Sequence, residues 1–417
     1  MTRFTCLAAV FAISCGGVHA TQTIPLLPGD GDANTEKPRP IVGDQPADGP
    51  WSDPSNLIPP PEARAATPLE LPPIERFTLR NGLEVIFVTD RTAPVTSFQL
   101  AVRAGRDLSS REKVGIARLT AVMLTRGTRT RSAKSIAQRI RSAGGDLTAD
   151  ASYEASLLSC NAFSKQARAC SDTLADMVRN PTFPSAAFLE VRDQLKDATN
   201  QRVRNAGSLA SANFQNLLWG EKHPRGWPSS SRTLSAVTRA DLVAWHRKWY
   251  RPNNAILAVA GDFDAKTMRA AIERAFIGWP KGTIPKRTPA AIEPPKGIRV
   301  RLVDKPDETV TQLRIGHLGV AHKADDFFST MLVASTLGGV PLESRLEKAL
   351  AGGTQIRAAA SLDRNRERGA MVISASAPSA EAVSTAQRIR DAMSALRKKG
   401  PSPDEVKRAA SHAAGAY

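Results

Sequence analysis

The residues to test first for chemistry are the six histidines, His19, His223, His246, His317, His322 and His412. A zinc hydrolase sets two ligands on one face of a helix and keeps a carboxylate beside the metal-bound water. None of the six has a second histidine at helical spacing with a glutamate between them. His317 and His322 stand five apart at a strand end, which suits solvation or hydrogen bonding. His246 lies in Trp245-His246-Arg247-Lys248-Trp249, where helical packing is the default reading. No serine or aspartate has a recognisable partner for nucleophilic catalysis. Of the four cysteines, Cys6 and Cys15 fall near the amino terminus, and Cys160 and Cys170 lie further along. Cys160 is on an apparent strand and Cys170 on the helix after it, so a disulfide and two inert buried thiols both fit.

The elements around these residues follow from periodicity. Phe77–Arg80 and Leu83–Val88 flank Asn81-Gly82, a dipeptide suited to a type I′ hairpin turn. Val95–Ala104 alternates as a half-buried strand does, and helical spacing follows over Val114–Thr125 and Ser132–Ala143. Strand-like runs return at Asp146–Ala151 and Ala155–Phe163. Helices fill much of Lys165–Tyr250, and Ala255–Ala260 reads as a buried strand. Strands grouped apart from runs of helices predict an α+β fold, mainly antiparallel sheet packed with helices.

Near residue 298 the pattern restarts. Val303-Asp304-Lys305 before Val310-Thr311-Gln312-Leu313 matches Val88-Thr89-Asp90 before Val95-Thr96-Ser97-Phe98, and Gly352-Gly353 matches Gly144-Gly145. The chain is therefore expected to hold two homologous α/β units, 76–285 and 298–417, joined by a proline-rich linker at 286–297, with the second unit incomplete.

Residues 1–20 have the parts of a secretory signal: a basic start at Arg3, an apolar stretch from Phe4 to Val18, and Val18-His19-Ala20 as a small-x-small cleavage site. Ala12-Ile13-Ser14-Cys15 offers a poorer alternative, a lipoprotein anchored through Cys15. Residues 21–75 carry 13 of the 29 prolines and nine acids against three bases, which reads as a semi-rigid acidic spacer. The net charge of +17 thus gathers on the body from residue 76 onward. An exported chain with no recognition motif argues against nucleic acid, and low aromatic content argues against base stacking.

Gly115-Ile116-Ala117-Arg118-Leu119-Thr120-Ala121-Val122-Met123, with Arg126-Gly127-Thr128 after it, resembles the active-site helix of the pitrilysin/insulinase metallopeptidases, the inverzincins. Trp249-Tyr250-Arg251-Pro252-Asn253-Asn254-Ala255, Val259-Ala260-Gly261-Asp262-Phe263, Leu337-Gly338-Gly339 and Ser344-Arg345-Leu346 are similar to the family in the same order. The likeness covers essentially all of 76–417. It implies the family fold but not its chemistry. The H-x-x-E-H motif holds zinc through two histidines and uses the glutamate as general base. On that register Arg118 stands for the first histidine, Ala121 for the glutamate and Val122 for the second histidine, and the third ligand falls at Ala198. Alanine and valine have no lone pair for zinc, and Arg118 adds a permanent positive charge. Glu112, Asp146 and Asp197 are candidates to pair with it.

Many members of this family work as pairs, one chain with the zinc motif and one without. The resemblance implies that this chain is the non-catalytic kind, closing a peptide chamber with a zinc-bearing homologue and holding no metal itself. The family's substrate-pairing edge strand maps to Leu147, Thr148, Ala149, Asp150, Ala151 and Ser152. An arginine and a tyrosine that usually grip the substrate map to Ala351 and Ala358, which counts against direct help in catalysis. A structural or peptide-binding protein without a peptidase partner is the second reading, and an active zinc enzyme the third. The basic body suits an acidic partner subunit, acidic peptides or anionic envelope lipids. The expected location is the periplasm.

Overall fold

The computed structural model describes residues 72–340, 344–351 and 356–415. The expected signal, Cys15 and most of the 21–75 spacer lie outside the described residues, as does Gly352-Gly353.

The first half opens with strands β1 (Ile74–Thr78), β2 (Glu84–Thr89) and β3 (Val95–Val102). Helices α1 (Ile116–Met123) and α2 (Ala133–Ser142) precede strands β4 (Leu147–Ala151) and β5 (Ser156–Phe163). Helices α3 (Arg168–Arg179), α4 (Ser185–Arg204), α5 (Ala206–Trp219), α6 (Ser231–Ser235) and α7 (Arg239–Trp249) lead to β6 (Ala255–Gly261) and α8 (Ala265–Phe276). The strands form one sheet in the order β1-β2-β6-β3-β5-β4, in which β2 and β6 are the parallel pair. Central placement explains the composition of β2. Val85, Ile86, Phe87 and Val88 are all buried, so the run has no polar alternation. Edge strand β4 alternates between half-buried and exposed positions instead.

The β1–β2 hairpin departs from the expected type I′ turn. Leu79 N–H reaches Leu83 O at 2.9 Å and Gly82 N–H reaches Leu79 O at 2.8 Å, so three residues, Arg80-Asn81-Gly82, make the loop. Only Gly82 has a positive φ, +87°, whereas type I′ needs two such residues. Asn81 is held elsewhere: its amide donates to Phe276 O at 2.8 Å and ties the hairpin to the end of α8.

In the second half, β7 (Val310–Leu318), α9 (Phe327–Gly338), α10 (Arg345–Leu350), β8 (Arg357–Leu362), β9 (Ala370–Pro378), α11 (Ala382–Lys399) and α12 (Pro403–Gly415) repeat the order β3-α1-α2-β4-β5-α3-α4. The sheet order β7-β9-β8 matches β3-β5-β4. The restart at Val303 does not make a strand, and Ile298, Val300 and Leu302 are 85–90% exposed. In the first sheet β2 is joined to β3 only through β6. Among the described residues nothing occupies the β6 place beside β7, which leaves the β2-like segment without a partner.

Each sheet packs its helices on its own apolar core. A third, smaller cluster joins the halves: Phe214, Leu218 and Trp219 of α5 meet Leu318, Ala370 and Val372 of the second sheet. The 286–297 segment has no regular structure, yet it is anchored, since Ile292 joins that cluster. Cys160 on β5 and Cys170 on α3 are joined by a disulfide, with Cα atoms 5.6 Å apart.

Helix α12 is pinned by Arg345 of α10, whose Nε and Nη2 donate to the two carboxylate oxygens of Glu405 at 2.8 Å each. Those hydrogen bonds hold Glu405 down to about 2. A depressed carboxylate stabilises the fold above its unfolded pKa and loses that contribution as pH falls through the folded value. Glu405→Gln should therefore cost about 1–2 kcal/mol at neutral pH. In urea titrations its deficit against wild type should shrink below pH ~4.5 and close towards pH ~2.

Candidate functional site

The site forms where α1 meets β4 and α4. Gly115 caps α1 with φ +112°, and a Cβ there would stand 2.6 Å from Leu234 Cδ2. Leu119, Ala121 and Met123 turn into the core and are 0% exposed. Arg118 is half-buried and reaches β4, where its Nε lies 2.9 Å from Asp150 Oδ1. The expected partners Glu112, Asp146 and Asp197 do not take that role. Asp150 takes it because strand alternation puts it on the exposed face of β4.

Around this ion pair lies a cavity of about 200 Å³ lined by Arg106, Arg118, Asp150, Thr199, Arg202 and Ser229. Gly115 and Ala117, at the amino end of α1, complete one wall. Burial lowers Arg202 from the ordinary arginine value, and the positive charge of Arg118 lowers it further. Arg106 is lowered chiefly by burial, with Arg225 and Arg202 adding repulsion. Three guanidinium groups thus share one lining carboxylate.

The other positions that the resemblance assigns to the motif carry side chains with no donor atoms. Ala121 is sealed in the core, Val122 packs against it, and Ala198 is half-buried on α4. Among the described residues no three His, Cys, Asp or Glu side chains gather to hold a metal ion. The side chains at the four motif positions do not fit zinc. An isopropyl group and two methyl groups replace three ligand or base positions, and a fixed cation replaces the fourth.

Strand β4 is a sheet edge, and among the described residues no strand pairs with its outer side. Leu147, Ala149 and Ala151 lean on the core, whereas Thr148 and Asp150 are exposed. Ser152 must be dropped from this edge. Its N–H donates to Ala155 O at 2.8 Å and its carbonyl accepts from Arg106 N–H at 3.1 Å, so its backbone is already committed to a turn. In the second half, Ala351 is exposed after α10 and Ala358 lies half-buried in β8. Nearby Arg345 serves the α10–α12 contact described above.

His246, His317 and His322 make local structural contacts. His246 Nε2 is 2.9 Å from Val178 O, its ring lies 5.0 Å from that of Tyr250, and burial pushes it down to about 4. His317 Nδ1 lies 3.0 Å from Leu318 O, and the His322 ring meets Phe327 at 4.5 Å.

A charged clasp between the halves was not foreseen. Arg225 is 7% exposed; its guanidinium lies 4.0 Å over the Tyr153 ring and 4.9 Å over Trp219. It faces Glu154 and Asp363 at 3.9 Å each, and the Asn365 amide oxygen, turned towards it, accepts at 2.8 Å. Arg287 of the linker bridges Asp107 at 2.5 Å and Glu367 at 3.1 Å. Asp107 is pushed up to about 6 by burial, against the pull of Arg287. The only local signal for this clasp is the run Asp363-Arg364-Asn365-Arg366-Glu367-Arg368, whose partners lie far away in sequence.

Two α/β units with a helix, α1, packed beside the edge strand β4 define the architecture of the chain. The match to known families gives it a name. Residues 84–219 match the insulinase family, peptidase family M16, and residues 236–412 match the peptidase M16 inactive domain. The chain belongs to the M16 family. It is 26% identical over 271 residues to an uncharacterised zinc protease of Rickettsia felis, covering 64% of each chain. It is 23% identical over 279 residues to a probable mitochondrial-processing peptidase subunit beta of Arabidopsis thaliana, covering 65% of this chain and 51% of that one. The chain thus spans less than two thirds of the length of these relatives. A peptidase M16 inactive domain from Pseudomonas fluorescens has the same fold, with a TM-score of 0.73 at 23% identity over 83% of this chain and 84% of that one.

Two outcomes check the site and the clasp. Elemental analysis of the pure chain should return well under one zinc per molecule. Arg225→Met keeps the bulk but strands Glu154 and Asp363, and it should lower unfolding free energy by about 2–4 kcal/mol in urea titration.

Proposed function

We propose that this chain is a non-catalytic M16 subunit of the cell envelope that pairs with a zinc-bearing homologue and supplies one wall of a peptide-degrading or peptide-processing chamber. The observation that carries the proposal is an intact active-site helix, core and edge strand around four positions that cannot bind zinc. A scaffold that loses only its ligands keeps its shape and its peptide-facing surface. The Arabidopsis relative is named as a subunit, which supports a paired arrangement. Export follows from the signal-like residues 1–20, and the disulfide between Cys160 and Cys170 suits an oxidising compartment. The basic body suits an acidic partner face.

A second reading, peptide binding with no peptidase partner, draws on the free outer side of β4, which pairs with backbone and needs no catalytic group. Co-purification from the native envelope, followed by a peptide-cleavage assay, separates the two. Pairing predicts a zinc-bearing homologue in the same complex and at least about tenfold slower cleavage when this chain is removed. A homologue that runs alone and cleaves equally fast would rule the pairing out.

A further inference from the structure

The erased metal site has not been left neutral. Arg106, Arg118 and Arg202 line the cavity of about 200 Å³ between α1, β4 and α4, and among the described residues Asp150 is the one carboxylate lining it. Arg118 spends part of its charge on Asp150, 2.9 Å away. Arg106 and Arg202 add two further positive charges to the lining, and Arg106 also lies 5.8 Å over the Tyr153 ring with Asp107 beside it. Burial chiefly lowers both Arg202 and Arg106, with a smaller lowering of Arg202 by Arg118 and of Arg106 by Arg225 and Arg202. Arg106 Nε is buried and has no hydrogen-bond partner. The amino end of α1 adds the positive end of its dipole on the same side, where Gly115 and Ala117 line the wall. Thr199, whose hydroxyl donates to Leu195 O at 2.8 Å, and Ser229 complete the lining.

We propose that this cavity is an anion site that takes a carboxylate of an extended peptide, with the peptide backbone running along the outer side of β4. Guanidinium groups grip carboxylates through paired N–H donors, and the low-dielectric wall strengthens the contact. The peptide is favoured over a free ion because Asp150 and Ala151, at the end of the open edge strand, form part of the cavity. A chain pairing with β4 is therefore delivered to the charge. The carboxylate comes from an acidic side chain or from a peptide's terminal carboxyl group. The site depends on this chain's own residues and holds whether or not a homologue pairs with it.

Fluorescence anisotropy on the full chain tests this with three labelled decapeptides: alternating Ala-Glu with an amidated end, alternating Ala-Gln with an amidated end, and Ala-Gln with a free terminal carboxyl. The Ala-Glu peptide should bind at least about tenfold tighter than amidated Ala-Gln. The free-acid Ala-Gln peptide identifies the source. Binding like Ala-Glu assigns the terminal carboxyl, and binding like amidated Ala-Gln assigns the side chain. Arg118→Gln and Arg202→Gln should each weaken the acidic ligand by about tenfold or more. Asp150→Asn removes the competing carboxylate and should tighten binding several-fold, a gain that misfolding cannot produce. Equal binding of all three peptides would overturn the proposal, as would indifference to the three substitutions. Binding of inorganic phosphate without any peptide would overturn the peptide assignment.

Discussion

The insertion of β6 between β2 and β3 is the constraint on which the first unit depends. Its two neighbours are laid down near the start of the folded body, and the chain returns to fill the gap about 150 residues later. Phe98, Leu100 and Val102 on β3 face Val259, Leu257 and Ala255 on β6, and Val85 and Phe87 on β2 face Leu257 and Val259 from the other side. Helices α1 to α7 all lie within the chain that separates β3 from β6. Gly261 shows how tight the seam is: a Cβ there would stand 2.1 Å from Val95 O, and its φ is +123°. Close backbone approach at the end of a central strand leaves room only for glycine.

That closure also fixes the place of α1. Because α1 is clamped between the sheet and α4 and α7, its position does not depend on a metal. Ala121 is buried and Val122 packs against the core, so both side chains support the helix. Position 118 lies on the rim, where a long polar side chain still reaches solvent and β4. Replacing a metal ligand by arginine changes the sign of what the site attracts: a ligand set gathers cations, whereas converging guanidinium groups gather carboxylates.

Local rules carried much of the fold. Val95–Val102 shows its strand by alternation, Ser132 announces α2 by accepting from Ser135 N–H, and the Thr238–Asp241 capping box starts α7. What could not be read is what only three-dimensional proximity creates. Asp150 is 32 residues from Arg118 and on another element, so the nearer-looking Glu112 carried no less weight in the sequence. The Arg80-Asn81-Gly82 loop differs from the two-residue turn because Asn81 is drawn to Phe276 O, 195 residues away. Ser152 continues the strand-like pattern, yet Arg106 N–H has taken its carbonyl. The clasp joins Arg225 to Asp363 and Arg287 to Asp107, pairs more than a hundred residues apart, and no periodicity encodes that.

Helix α5 belongs by sequence to the first half, yet it covers one face of the second sheet. Phe214 stands against Gly316, and Arg314 donates to Ser211 Oγ and Gly207 O on that helix. The proline-rich stretch that looks like the natural place to divide the chain is therefore not a seam between independent parts. A cut there would strip the second sheet of its cover and leave the apolar side of α5 in water. Gene fission or domain exchange at that point would deliver two halves that must find each other again to bury the face between α5 and the second sheet.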